Sequence, residues 1–363
     1  MRIARATVIG VGGMLPVPVG NAGSSWHERR GLVLRLFDDA GNMGQGEASP
    51  LPGYSPDDLG AVRGAFAREP WLAVPEIDER VAIAPQVRHL VDGVDPGIPS
   101  ARFALETALL DLLGLRVGRP VHDILAGGAP CGRVPVARLI DSEKVAECLA
   151  ASRRALHRGI RTLKVKVGRD FARELELLRA LRAELGDGIA IRLDANRSFP
   201  PAEARERLRE LATLAPSMIE EPVVPEALAD LVSAPVPIAL DESLAGDEGL
   251  RLLSRLTAAG VCKWVVLKPT VLGGVLACME IARRARAGGA EPIVSHTFDG
   301  PLAMAASAEL AVALPPPRHA AGLDRHAALR AWPDIDVPTL TGAELVPSEE
   351  PGLGIAPVPA SPR

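Results

Sequence analysis

From about Val134 onward the chain repeats one grammar: a short apolar run, a polar or charged terminus, then a stretch with helical periodicity. The runs are VPVARLI, TLKVKV, AIRLDAN, SMIEEP, PIALDES, WVVLKPT and PIVSHT. They recur roughly every 20 to 30 residues, the length of one strand plus one crossover helix. Parallel strands joined this way, about eight in number, close into a barrel packed inside and ringed by helices. The intervening stretch FARELELLRALRAEL supports this, since Leu175, Leu178, Leu181 and Leu185 fall on one stripe. A final run near HAAGLD would supply the eighth strand. The expected fold class is therefore α/β, a (β/α)7β TIM-like barrel.

Upstream the pattern differs. Ile3, Val8, Ile9 and Val11 alternate like a strand, and GLVLRLFDDAGNMGQGE carries a turn at Asp39–Asn42 between two apolar runs. Ser100 to Leu115 then places Phe103, Leu105, Ala108, Leu109, Leu112 and Leu113 at helical spacing, with Ser100 as the expected N-cap after Pro99. Residues 1–125 are thus expected to form an α+β capping domain and 126–328 the barrel that carries the chemistry. The proline-rich segment 329–363 is expected to return over the surface to the capping domain.

Composition limits the partners. A net charge of −4, 47% apolar and 24% charged residues describe a soluble globular chain without the basic excess that attracts nucleic acid. No run reaches the roughly 18 apolar residues of a membrane span, and the N-terminus lacks a signal-peptide layout, so a cytoplasmic protein is expected. The expected partner is a small carboxylate, with no nucleic acid and no membrane; a monomer and a homo-oligomer both stay open. Cys131, Cys148, Cys262 and Cys278 form no CxxC pair, which suits reduced, buried thiols and indicates no zinc site.

Catalytic groups of such barrels project from the C-terminal ends of the strands. Here the second run ends in Lys164-Val165-Lys166, the third in Asp194-Ala195-Asn196, the fourth in Glu220-Glu221, the fifth in Asp241-Glu242 and the sixth in Lys268. Any one acid at a strand end is more often a structural cap than a ligand. Three in successive repeats would repel one another at the barrel mouth unless a cation neutralised them. Mg²⁺, with Mn²⁺ as an alternative, matches an all-oxygen donor set. Residues two apart on a strand share a face, so Lys164 and Lys166 point the same way, and an inward direction spares two ammonium groups from apolar helices. Only five of 41 basic residues are lysines, Lys144, Lys164, Lys166, Lys263 and Lys268. Unlike arginine, an amine can lose its proton near neutral pH.

The motifs LKVKVG, LDAN, IEEP, LDES and KPTVLGG, in this order and spacing, resemble the enolase superfamily, specifically its lysine-bearing muconate lactonizing enzyme subgroup. The loop GEASPLPGYSPDDL, the helix start PSARFALE and the segment AAGLDRHAALRAWP are similar to those of its o-succinylbenzoate synthases. The resemblance implies that Asp194, Glu220 and Asp241 bind Mg²⁺, with Asn196, Glu221 and Glu242 supporting them from behind. It also implies that Lys166 is the general base, Lys164 its electrostatic neighbour and Lys268 the opposing cation. The reaction implied is dehydration of 2-succinyl-6-hydroxy-2,4-cyclohexadiene-1-carboxylate through an enediolate, a step of menaquinone biosynthesis.

The rival reading is racemisation of an N-succinylamino acid or epimerisation of a dipeptide, which a lysine on each side of the substrate plane would suit. Dipeptide epimerases of the subgroup hold the substrate ammonium with an Asp-x-Asp motif, from which Asp324-Arg325-His326 departs. The Asp334-Ile335-Asp336 triplet lies further along, outside the expected barrel mouth. Ser295, Asp299, Gly273 and Gly274 are expected to contact substrate, and His296 to be a loop or contact residue, not a catalytic acid. The segments Gly12–Arg30 and Leu51–Ser55 are expected to close over it. A non-catalytic binding barrel remains the bland alternative.

Overall fold

The structure is a computed structural model that describes residues 1–20, 24–94, 97–142, 144–337 and 340–359. The N-terminal part is a three-stranded antiparallel sheet, β1 (Ile3–Gly20), β2 (Ser25–Asp38) and β3 (Met43–Ala48), in the order β1-β2-β3. The predicted turn closes on Asp38, whose Oδ1 accepts from the amides of Ala40 at 2.9 Å and Asn42 at 2.8 Å. Gly12–Arg30 is mostly this β1–β2 hairpin and not an open loop; residues 21–23 at its tip lie outside the described residues.

Four helices follow, α1 (Leu59–Ala67), α2 (Ile83–Val94), α3 (Pro99–Val117) and α4 (Val121–Ala126). Helix α3 is buried almost all round and lies directly against β3. The contact requires glycine at position 46, because a Cβ there would sit 1.9 Å from the carbonyl oxygen of Ala104. Ser100 does not cap this helix. Pro99 already occupies its first position, and the Ser100 amide and hydroxyl both donate to Asp57 Oδ2, at 2.8 and 2.6 Å.

A two-residue strand β4 (Val134–Pro135) leads into seven parallel strands: β5 (Ala137–Ile140), β6 (Thr162–Lys166), β7 (Ala190–Asp194), β8 (Met218–Glu220), β9 (Ile238–Leu240), β10 (Cys262–Leu267) and β11 (Glu291–Val294). Their spatial order is their chain order, as right-handed crossovers in a curling sheet require. Crossover helices include α5 (Val145–His157), α6 (Phe171–Leu185), α7 (Pro201–Ala212), α8 (Gly246–Ala258), α9 (Pro269–Leu272), α10 (Val275–Ala287) and α11 (Pro301–Ala313). As expected of α6, Leu175, Leu178 and Leu181 face inward; Leu177 joins them, and Leu185 is half-buried.

The HAAGLD run makes no continuous eighth strand. It closes the barrel through isolated bridges, Ala321 pairing with Val136 and Gly322 with Ser295. The Ala321 amide donates to Pro135 O at 2.8 Å and the Gly322 amide to Val294 O at 2.8 Å, joining the two sheet edges.

Two buried ionisable side chains fasten the N-terminal part onto the barrel mouth. Arg29 donates through Nε to Phe298 O at 2.9 Å and through its terminal nitrogens to Pro50 O at 3.0 Å and Ser49 O at 2.6 Å. Glu47 accepts from the amides of Gly300 at 2.7 Å and Ala303 at 3.3 Å. The chain end reaches back to the first sheet, where the Val358 amide donates to Gln45 Oε1 at 2.9 Å. No helix among the described residues is long and apolar enough to cross a membrane.

Candidate active site

One cavity of about 530 Å³ opens at the C-terminal ends of the barrel strands and extends under the β1–β2 hairpin. Lys164 and Lys166 both line it, while Val165 between them turns outward and is buried. Asp194, Asn196, Glu220, Lys268, Ser295 and His296 line it too. Of the five lysines three are here; Lys144 and Lys263 are exposed.

Each acid ends a strand or follows one directly, and Asp194, Glu220 and Asp241 are all 3% exposed; Asp194 and Glu220 line the cavity, whereas Asp241 sits behind Lys268 and does not. Lys164 Nζ stands between two of them, 2.9 Å from Asp194 Oδ2 and 2.5 Å from Glu220 Oε2. Lys268 Nζ donates to Asp241 Oδ2 and to the hydroxyl of Tyr54. Burial opposes the charge of Lys164, but Asp194, Glu220 and Asp241 outweigh it and raise its pKa. Lys166 is different. Its ammonium reaches the carbonyl of Gly20 and, among the described residues, no carboxylate, and burial, reinforced by the charges of Lys164 and Lys268, lowers its pKa to about 8 against the pull of Asp194 and Asp141.

Behind this layer Glu221 is fully buried and staples the turn after β9. Its Oε1 accepts from the amides of Asp241 at 2.8 Å and Ser243 at 2.9 Å, and its Oε2 from the Ser243 hydroxyl at 2.7 Å. Glu221 therefore fixes the backbone of Asp241 and does not face the cavity. Asn196 Nδ2 donates to Glu242 Oε1 at 2.8 Å, yet Asn196 Oδ1 and Glu242 Oε2 are buried without a hydrogen-bond partner.

The donor chemistry, three buried carboxylates, suits a hard divalent cation, while their oxygens do not all lie within 4.8 Å of one another here and Lys164 and Lys268 stand against them. Burial raises Glu220 to about 7, assisted by Asp194 and Asp241, and raises Glu242 to about 8, assisted by Asp241, so the protein's own groups leave this focus short of positive charge. Two unpartnered buried oxygens beside three carboxylates point the same way. A separate trio, His122, Asp123 and Cys131, has its ligand atoms within 4.8 Å of one another but lies on α4 and the loop beyond it, away from the cavity. There His122 Nδ1 is engaged by Glu309 at 2.7 Å.

Three expected substrate contacts are corrected. Asp299 is 1% exposed and absent from the cavity wall; it accepts from the Thr297 hydroxyl at 2.6 Å and the Thr297 amide at 3.1 Å. Gly273 and Gly274 do not reach the cavity either. Gly273 faces Pro99 and Arg102, and a Cβ on Gly274 would lie 2.5 Å from Glu106 Oε1, so these glycines admit α3 and not a ligand.

Other wall residues carried no sequence signal strong enough to single them out. Tyr54, the only tyrosine, sits in the predicted Leu51–Ser55 loop with its hydroxyl 3.4 Å from Asp241 Oδ2. Trp26, Leu51, Val19 and Phe298 form an apolar cluster between hairpin and barrel. Arg138, Asp324 and His326 form the side where the barrel closes. The Asp334–Asp336 triplet stays outside; Asp336 is 95% exposed.

A parallel barrel with alternating lysines and acids at its mouth, roofed by an antiparallel sheet and helices, defines a class of enzyme. The chain belongs to the enolase superfamily: residues 147–361 match the family described as enolase C-terminal domain-like. It is 31% identical to the o-succinylbenzoate synthase of Desulfotalea psychrophila over 80% of this chain and 85% of the relative. It is 27% identical to the N-succinyl-L-Arg/Lys racemase of Bacillus cereus over 79% of this chain and 78% of the relative. Among solved structures, a substrate-liganded L-Ala-D/L-Glu epimerase from Bacillus subtilis superposes with a TM-score of 0.84 at 25% identity, covering 99% of this chain and 100% of the other.

Proposed function

We propose that the chain is a Mg²⁺-dependent dehydratase of the o-succinylbenzoate synthase type, forming 2-succinylbenzoate from 2-succinyl-6-hydroxy-2,4-cyclohexadiene-1-carboxylate. The observation that carries the proton-abstraction step is the contrast between its lysines. Lys164 and Lys268 are held charged by carboxylates, whereas Lys166 is half-buried, lines the same cavity and is pushed down to about 8 by desolvation. An amine poised near the working pH is what a general base requires.

Asp194, Glu220 and Asp241 would hold the metal, with Glu221 fixing the backbone of Asp241 behind them. When bound, Mg²⁺ would polarise the substrate carboxylate and stabilise the charge that develops on it. Lys166 would remove the α-proton and then return it to the departing hydroxide, which leaves as water as the ring becomes aromatic. Lys268, four strands round the sheet from Lys166, would face the opposite side of the substrate and balance the enediolate charge. The apolar cluster of Trp26, Leu51 and Phe298 would keep water from that intermediate.

Lysines on both sides of one cavity also suit two-base racemisation, so N-succinylamino acid racemase is the second reading. The deciding experiment compares kcat/KM for the cyclohexadiene carboxylate with that for a panel of N-succinylamino acids, with Mg²⁺ present. Faster dehydration supports the first reading; faster racemisation replaces it with the second. Chelation is expected to abolish both activities, and turnover in excess chelator would rule out the metal assignment.

A further inference from the structure

A second cluster of metal-binding donors lies away from the barrel mouth, where the capping part meets the barrel. His122 and Asp123 sit on α4, and Cys131 returns to them from the loop beyond. The return depends on two successive glycines, Gly127 and Gly128, whose φ values of 60° and 93° are left-handed and favour glycine. The loop is fastened on both sides. The Ala129 amide donates to Ala126 O at 3.1 Å, the Gly132 amide to Val312 O at 3.1 Å, and Arg318 to Pro130 O at 2.8 Å. No CxxC pattern marks this cluster in the sequence, because folding and not spacing supplies its cysteine.

His122 Nε2 is 3.8 Å from Asp123 Oδ1, too long for a hydrogen bond, and Cys131 Sγ is 3.9 Å from the same oxygen. One ligand atom from each residue lies within 4.8 Å of the other two. Tetrahedral zinc, with bonds of roughly 2.0–2.3 Å, holds its ligand atoms about 3.3–3.8 Å apart, so the two edges at Asp123 are close to that geometry. The ring is already oriented for it. Glu309 Oε2 on α11 is 2.7 Å from His122 Nδ1 and 2.7 Å from the His122 amide nitrogen. An ionised carboxylate only accepts, so Nδ1 donates and the lone pair falls on Nε2. A buried carboxylate behind the ring is the support that metal-binding histidines use. The thiol meanwhile makes a contact of 3.6 Å with His122 O, which a metal bond would replace.

Donor chemistry decides the ion. An imidazole, a thiolate and a carboxylate suit Zn²⁺ and other thiophilic dications, whereas Mg²⁺ prefers oxygen donors such as those at the barrel mouth. The thiolate and Asp123 would neutralise a dication, and Arg318, the cation that acts on Cys131, is offset by Glu309. The His122 side chain is 4% exposed, but that of Asp123 is 48% exposed and Cys131 is half-buried. An ion therefore has a path in from solvent, and water can take a fourth position. None of the three residues lines the barrel-mouth cavity. We propose that His122, Asp123 and Cys131 form a site for Zn²⁺ or a similar thiophilic dication, separate from the Mg²⁺ centre, that braces α4 against α11. The site does not depend on the reaction proposed above.

The test is a Co²⁺ titration of the full chain, kept reduced with a phosphine and saturated with Mg²⁺ to fill the barrel mouth, followed by absorption spectroscopy. Co²⁺ stands in for Zn²⁺ and reports its donors. The wild type is expected to develop a thiolate-to-cobalt charge-transfer band that saturates at one equivalent and is bleached by Zn²⁺. Cobalt on the oxygen donors of the barrel mouth gives no such band. Cys131→Ser is expected to remove it. Asp123→Asn and Glu309→Gln are each expected to weaken cobalt binding by about tenfold or more, the scale on which support of a metal ligand matters. Zn²⁺ is expected to raise the melting temperature of the wild type and not that of Cys131→Ser. Circular dichroism checks that each variant is folded, and Cys131 and Asp123 are solvent-reached positions, so the test does not hang on altering the buried His122. No band in the wild type, a band that survives Cys131→Ser, or unchanged cobalt affinity in folded Asp123→Asn and Glu309→Gln would overturn the site. Equal melting shifts in wild type and Cys131→Ser would overturn the brace.

Discussion

At the scale of single residues, three lysines of one chemical kind are given different tasks by their neighbours. Lys164 is clamped by two acids and Lys268 by one acid and Tyr54, while Lys166, among the described residues, hydrogen-bonds only to a backbone carbonyl. Because burial lowers the pKa of Lys166, its neutral form is lost as the pH falls below about 8. The kcat/KM profile is accordingly expected to rise with pH and level off above that point, and a flat profile from pH 6 to 9 would exclude Lys166 as the base. Lys166→Ala is expected to lower kcat by roughly 10²- to 10⁴-fold, the usual contribution of a positioned base. Tyr54→Phe removes the hydroxyl shared by Lys268 and Asp241 and is expected to lower kcat while leaving the fold intact, as thermal melting would check. The lysines and acids were legible in sequence because each terminates an apolar run, where strand periodicity fixes direction. Tyr54 and His326 were not, since nothing local distinguishes a loop aromatic or histidine that reaches the cavity from one that does not. Gly273 and Gly274 were misread for a related reason: glycine permits close approach, and sequence does not say whether of a ligand or, as here, of the Glu106 carboxylate on α3.

At the scale of elements, the turn after β9 shows how a loop is made rigid enough to present a metal ligand. Glu221 takes three hydrogen bonds from it, two of them from backbone amides. Glu221→Ala leaves those buried donors unsatisfied and is expected to cost about 1–3 kcal/mol each where water does not replace the carboxylate. The measurable consequences are a lower denaturation midpoint and weaker Mg²⁺ binding together, whereas Asp241→Asn should weaken the metal with little effect on the midpoint. If Glu221→Ala left both quantities unchanged, the staple would have no role. Sequence alone marked Glu220 and Glu221 as equal candidates on residue chemistry; their separation is a matter of strand direction, since adjacent residues face opposite sides. The eighth element was the hardest to anticipate. Its short apolar run suggested a strand, whereas the finished barrel holds it only by isolated bridges at both edges.

At the scale of the whole molecule, the N-terminal sheet and the barrel meet through charge as well as apolar packing. Arg29 donates to carbonyls on both sides of that seam, and Glu47 accepts from barrel amides. Both lie far in sequence from their partners, which is why no local pattern announced them. Arg29→Met is expected to destabilise the protein by roughly 3–5 kcal/mol, as breaking a buried charged network does. It should also raise KM more than it lowers kcat, because the roof of the cavity shifts while the barrel ligands stay in place. Equal melting temperatures for the variant and wild type would argue against that seam.

The weakly paired closing segment has a further consequence for how such an enzyme can change. Staves that carry the lysines and acids are locked into ladders on both sides, so altering them disturbs neighbours that share their hydrogen bonds. The segment at Ala321 and Gly322 is joined only point by point, and the residues just beyond it line the cavity. Substitutions on this part of the barrel therefore disturb the fewest shared hydrogen bonds.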